Sequence, residues 1–131
     1  MPVSRRFLEI AFKGTAYRGW QRQADAPTVQ AEVERALRLA LHLEKVDAVG
    51  CGRTDTGVHA TQFFLHFDAP EDRELQDRLV HRLNALLPGD IAVKRVLPVP
   101  PDAHARFSAV ERGYCYRIHR SKDPFLMGLS Y

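Results

Sequence analysis

The sequence predicts an α+β fold. Apolar residues alternate with period two over residues 5–13 and 59–68, as in strands with a buried face, and residues 91–96 read as a further strand. Two amphipathic helical stripes stand between these runs, giving the order strand, helix, strand, strand, helix, strand. With 131 residues, 45% hydrophobic and 27% charged, the chain has the size and balance of one globular domain.

In residues 5–13, Leu8, Ile10 and Phe12 point one way and Phe7, Glu9 and Ala11 the other, so the spacing predicts a half-buried strand. Residues 14–23 lack apolar periodicity and read as a polar, aromatic loop. Its Trp20 either caps the core or meets an RNA base. Its Arg18 and Arg22 are either solvated or meet phosphates. Pro27-Thr28 opens a helix with Thr28 as N-cap, and Val29, Val33, Ala36, Leu37, Ala40 and Leu41 form its apolar stripe. This helix is expected to end near Leu43. Residues 46–49 read as a short strand. In residues 59–68, Phe63, Leu65 and Phe67 alternate with Phe64, His66 and Asp68.

The second helix is expected over residues 71–87, with Leu75, Leu79, Leu83, Leu86 and Leu87 on its apolar face and Glu71 and Asp72 in its first turn. Pro88-Gly89-Asp90 stops it. Residues 91–96 form the next strand. Pro98, Pro100 and Pro101 then enforce an extended loop. Residues 113–119, with Tyr114, Tyr116 and Ile118 on one face, predict a last strand. The pattern β-α-β-β-α-β is the ferredoxin-like split βαβ arrangement, an antiparallel sheet with helices on one face, here with an extra C-terminal strand.

Lys and Arg number 19 against 16 acids, a formal charge of +3, which fits a polyanionic partner without demanding one. Cys51 and Cys115 are far apart and form no zinc-type spacing. None of the six histidines pairs with another four residues away, so no metal site is expected. No secretory leader and no bilayer-length apolar run stand in the sequence, which reads as cytoplasmic with free thiols. No dinucleotide or nucleotide fingerprint is present, so no cofactor is expected.

The most unusual stretch is Gly50-Cys51-Gly52-Arg53-Thr54-Asp55-Thr56-Gly57-Val58-His59-Ala60. Glycines at this density allow positive φ and close approach of the backbone to a partner. Asp55, two residues after Arg53, is a candidate reactive carboxylate, and the guanidinium is expected to favour the ionised form that a nucleophile needs. A plain structural turn has the same composition, because Asp readily bonds its own backbone in turns. His59 reads as a hydrogen-bonding member of the turn rather than a general base.

Gly52-Arg53-Thr54-Asp55 followed by Gly57-Val58-His59-Ala60 resembles the catalytic signature of the tRNA pseudouridine synthase A (TruA) family. Four further stretches are similar to that family: Gly19-Trp20-Gln21-Arg22-Gln23, Thr28-Val29-Gln30, the run from Leu83-Asn84-Ala85 through Pro88-Gly89-Asp90 to Val93, and His104-Ala105-Arg106-Phe107-Ser108-Ala109 with Tyr114 and Tyr116 beyond. The resemblance covers residues 5–120 in order. Thr56 stands where Ala is common, and Gly113 and Cys115 stand where basic residues are usual.

The resemblance implies isomerisation of uridine to pseudouridine in the anticodon stem-loop of tRNA, by a homodimer that needs no cofactor or metal. It implies that Asp55 is the catalytic carboxylate. Arg53 orients it and fills the space that the flipped nucleotide leaves, and Tyr114 stacks on the target base. Arg18, Arg22 and Arg106 are candidate phosphate contacts. Trp20, Gln21, Thr54 and His59, inside matching motifs, complete the expected substrate-binding set. Family members carry a second half-domain of similar topology, so the 131 residues are expected to be a single N-terminal catalytic half-domain, its second half absent.

Two other readings compete. Asp55-Thr56-Gly57 is the triplet of aspartic proteases, and a half-length chain that dimerises would suit a retroviral-type enzyme. Against it stand the two amphipathic helices. A ferredoxin-like sheet is also the scaffold of non-catalytic RNA-binding modules of the RRM type, although no strand carries the aromatic pattern of such modules.

Overall fold

A computed structural model describes residues 3–71 and 78–105 of the chain. Four strands form one antiparallel sheet: β1 (Val3–Phe12), β2 (Val49–Gly50), β3 (Ala60–Pro70) and β4 (Ile91–Pro98). Their spatial order is β2-β3-β1-β4. With α1 (Val29–Leu41) between β1 and β2 and α2 (Leu79–Leu86) between β3 and β4, this is the expected split βαβ arrangement. The expected strand at 113–119 lies outside the described residues. So do residues 72–77 of the helix expected over 71–87; Glu71, its expected first residue, is not helical, and the described helix runs Leu79–Leu86.

The register explains the core. Leu8 sits opposite Leu65 and Val96, and Ile10 opposite Phe63 and Val93, so these side chains share one face of the sheet. The stripes of both helices join this face in one cluster: Val29, Val33, Ala36, Leu37 and Ala40 from α1, Leu79 and Leu83 from α2. The Thr28 hydroxyl accepts from Ala31 N–H at 3.3 Å, capping α1 as the sequence predicts. The helix ends at Leu41, two residues before the expected point. His42 takes a left-handed conformation (φ 56°), and the Leu43 N–H turns back to the Arg38 carbonyl.

The second face of β1 departs from expectation. Phe7 and Glu9 are buried along with Leu8 and Ile10, so the strand is covered on both sides. Both neighbours of β1 contribute to that second face: His66 and Leu97 lie opposite Phe7, and Phe64 and Arg95 opposite Glu9. Charges there are paired across strands. Arg5 grips Asp68 through Nε (2.8 Å) and Nη2 (3.0 Å), which holds the Asp68 carboxyl below its usual range, and Arg95 pairs with the buried Glu9. Period-two alternation reports side-chain direction, not whether a second layer exists. A buried central strand therefore reads as half-buried when its second face carries paired charges.

The segment after β4 docks on this face through His66. Ala105 N–H donates to His66 Nδ1 at 3.0 Å, Arg5 Nη1 donates to Ala103 O at 2.9 Å, and the His104 ring meets the His66 ring edge-on at 4.5 Å. Burial, then the Arg5 charge and His104, lowers the His66 pKa to about 4, against a small opposing pull from Asp68. An unfolded His66 takes its proton near pH 6.5, before the folded one does. Its contribution is therefore complete above about pH 6.5 and is lost as pH falls toward 4, amounting to about 3 kcal/mol at most. Urea titrations at pH 7 and pH 4 should show a smaller loss in His66→Gln, which keeps a neutral acceptor. An identical loss in both proteins would remove His66 as the source.

Candidate functional site: a braced carboxylate turn

The chain from β2 to β3 forms the turn that carries Arg53 and Asp55, and three side-chain or backbone bonds brace it against residues 14–20. Gly14 N–H donates to His59 Nδ1 at 2.6 Å, Gly57 N–H to Tyr17 O at 3.1 Å, and Trp20 N–H to the Thr54 hydroxyl at 2.9 Å. Those partners make Thr54 and His59 buried members of the framework. The bond at Nδ1 leaves the His59 proton on Nε2, and burial, then Lys13, lowers its pKa. Within the turn, Val58 N–H closes on Asp55 O at 3.2 Å. Asp55 and Arg53 both remain exposed.

A third loop joins the brace. Tyr17, itself buried, donates its hydroxyl to Asp90 Oδ1 at 2.6 Å, and Lys13 N–H donates to Asp90 O at 2.8 Å. Burial and the Asp90 bond raise the Tyr17 pKa, so the phenol stays protonated.

Glycines serve packing here more than backbone freedom. Of the three in the signature only Gly57 has positive φ (81°). Gly50 is part of β2, paired with Leu65, so the strand lies later than the expected residues 46–49. A Cβ on Gly50 would sit 2.6 Å from Trp20 Nε1, and one on Gly14 would sit 1.8 Å from the Val58 carbonyl oxygen. Gly52 faces open space. Gly14→Ala must therefore push the Asp55 turn away and should cost about 3 kcal/mol or more, whereas Gly52→Ala should stay within about 0.5 kcal/mol of the parent in urea unfolding. Equal effects of the two would contradict this packing.

Other site residues fall differently from expectation. Trp20 is 2% exposed, its ring 4.7 Å from Phe63, so it belongs to the core and is not presented to a base. Arg22 pairs with the buried Glu34 through Nη1. Among the described residues, Arg53 and Asp55 form no ion pair with each other, so the expected guanidinium beside the carboxylate is absent. Arg18 and Gln21 are exposed on the neighbouring loop. Arg106 and Tyr114 lie outside the described residues.

Residues of this stretch line two clefts. One of about 380 Å³ includes His59, Lys13, Asp90 and Lys94 against Ala11 and Ala92 of the sheet. The other, about 240 Å³, lies between Gln21 and Arg53, with Gln30 and Gly50 in its wall. Sequence reasoning missed two polar residues behind this second cleft, Gln30 and Glu34. The available signal was two long polar side chains one helical turn apart beside the apolar stripe of α1. No three His, Cys, Asp or Glu side chains converge as metal ligands among the described residues, and no described helix is long and apolar enough to cross a membrane.

Sheet, brace and exposed carboxylate together define a ferredoxin-like α+β domain whose exposed Arg53 and Asp55 sit on a turn held by neighbouring loops. The aspartic protease reading fails against the two helices packed on this sheet. The chain belongs to the tRNA pseudouridine synthase family: the family model of that description matches residues 10–108. A tRNA pseudouridine synthase A of Porphyromonas gingivalis is 47% identical over 128 residues, covering 97% of this chain and 50% of that protein. Proteins of the same name from Parabacteroides distasonis (45% identical, 98% of this chain, 51% of that protein) and Bacteroides fragilis (43%, 95% and 49%) are similar as well. The chain thus spans about half the length of the curated relatives it matches.

Proposed function

We propose that this chain is the catalytic half-domain of a tRNA pseudouridine synthase that isomerises uridine in the anticodon stem-loop, with Asp55 as the essential carboxylate. The observation that carries the reading is an exposed Asp55 on a turn braced at His59, Gly57 and Thr54, inside the family-matching region. A second half-domain, as the length of the relatives suggests, completes the cleft. The working enzyme is a cytoplasmic homodimer.

The reaction breaks the N1–C1′ bond and forms a C5–C1′ bond. N1 gains a proton and C5 gives one up, so atoms balance with no oxidant, reductant or cofactor. The target uridine leaves the stack to reach the turn. Asp55 meets the flipped nucleotide as an ionised acceptor or nucleophile, at C1′ of the sugar or C6 of the base. Arg53, free of Asp55 in the unbound protein, moves into the vacated stack and orients the carboxylate only when RNA is present. Tyr114 stacks on the uracil, a contact worth about 1–3 kcal/mol. Gln21 meets RNA at the loop edge. Arg18, Arg106 and the exposed side of Arg22 contact phosphates.

Loss of the C5 hydrogen gives a direct assay. A full-length protein carrying this chain should release tritium from tRNA labelled at uracil C5, and complete absence of release would sink the proposal. Affinity for tRNA should fall steeply with salt as phosphate contacts release counterions. A flat response would remove the arginine assignments.

A further inference from the structure

Gln30 stands where both walls of the Arg53 cleft are tied together. Its backbone N–H donates to Trp20 O at 2.9 Å, its side-chain oxygen accepts from Arg22 N–H at 2.6 Å, and its side-chain NH2 donates to Ala48 O at 2.7 Å. One turn later on α1, Glu34 accepts from Ala48 N–H at 3.0 Å and pairs with the Arg22 guanidinium. The segment bearing Arg53 is therefore held at both ends. Ala48 is bound through both its backbone groups to the Gln30–Glu34 pair, and Thr54 binds the Trp20 N–H, whose own carbonyl binds Gln30.

This arrangement is a closed circuit: Gln30, Ala48, β2, Arg53, Thr54, Trp20 and back to Gln30. Glu34 is 2% exposed, and a buried carboxylate is tolerated only when paired and hydrogen-bonded. An ordinary surface helix would need neither polar group facing inward. Both side chains are spent on backbone groups of the two cleft walls and on Arg22, leaving Arg53 itself exposed and unpaired among the described residues.

We propose that Gln30, supported by Glu34, is a positioning residue of the synthase site: it sets the separation between the Gln21–Arg22 loop and Arg53, and so the place from which Arg53 enters the RNA. The inference rests on the pseudouridine synthase reading above and adds to it a residue whose bonds run to the backbone of Trp20, Arg22 and Ala48 rather than to Asp55. Displacements of about 1 Å at such a support can cost up to about a hundredfold in rate.

The test uses single-turnover tritium release by the full-length protein, with tRNA affinity and thermal unfolding measured on the same samples. Gln30→Leu should lower the rate about 10- to 100-fold while tRNA affinity stays within about threefold. In an Arg53→Ala background the same change should cause no further loss, because the residue through which it acts is gone. Multiplying losses in the two backgrounds, or a fall in affinity with an unchanged rate, would overturn the inference. If Gln30→Leu does not fold, Glu34→Gln carries the same test: it keeps an acceptor for Ala48 N–H but loses the ionic hold on Arg22. A parent protein that releases no tritium defeats the synthase reading itself, together with this inference. Additive losses in an active parent defeat the inference alone.

Discussion

Replacing Asp55 by Asn should abolish tritium release from C5-labelled tRNA, by at least about a thousandfold, while tRNA affinity stays within a few fold. Asn has the shape of Asp and can occupy the same turn, so the change removes the charge and little else. The turn should survive, because its braces run through Gly14, Tyr17 and Trp20 to His59, Gly57 and Thr54. Only the backbone oxygen of Asp55 takes part, accepting from Val58 N–H. Asp55 is exposed in this structure, so no stabilising contact in the core is lost with its charge. Unchanged unfolding together with lost turnover is the signature of a group that acts on the substrate. Retained turnover in Asp55→Asn would take the carboxylate out of the chemistry.

Trp20→Ala should give the largest loss of stability, about 3–5 kcal/mol in urea unfolding. The ring is 2% exposed and lies against Phe63, and Gly50 lacks a side chain where that ring needs the room. Removing the indole opens a cavity under the point where β2 enters the Arg53 turn, so activity should fall as a consequence of displaced backbone. Trp20→Phe, which refills most of the volume, should recover most of both. A Trp20→Ala protein with parental stability and weakened tRNA binding would instead return Trp20 to the RNA surface.

The same two residues show how sequence and structure divide the problem. Asp55 was legible as a candidate because the chemistry of a turn is local: glycines, an arginine and a carboxylate within a few positions single out a loop that fits a reactive site or a plain turn, and its resemblance to ordered motifs points to the family. Trp20 was ambiguous because an aromatic in a polar loop obeys no period, and its burial depends on Gly50 and Phe63, more than 25 residues away. Arg53 and Asp55 are close in sequence, yet the structure keeps them from pairing, since nearness along a turn does not set side-chain direction. The second face of β1 was misread for a related reason: Glu9 looks solvent-facing until Arg95 of β4 arrives to pair with it.

By itself the sequence determined the fold class, the helical stripes and the Thr28 cap, which follow from spacing along the chain, and it pointed to the family through the resemblance of its ordered motifs. Only the tertiary structure decided that Trp20 is core and that Arg22 belongs to Glu34. It also decided that β2 begins at Val49 and that Gln30 ties the two walls of the Arg53 cleft together. The physical reason is one of range. Backbone period and capping are fixed by neighbours within a turn of helix or a pair of strand residues, whereas burial and polar pairing depend on which distant segment folds against the site.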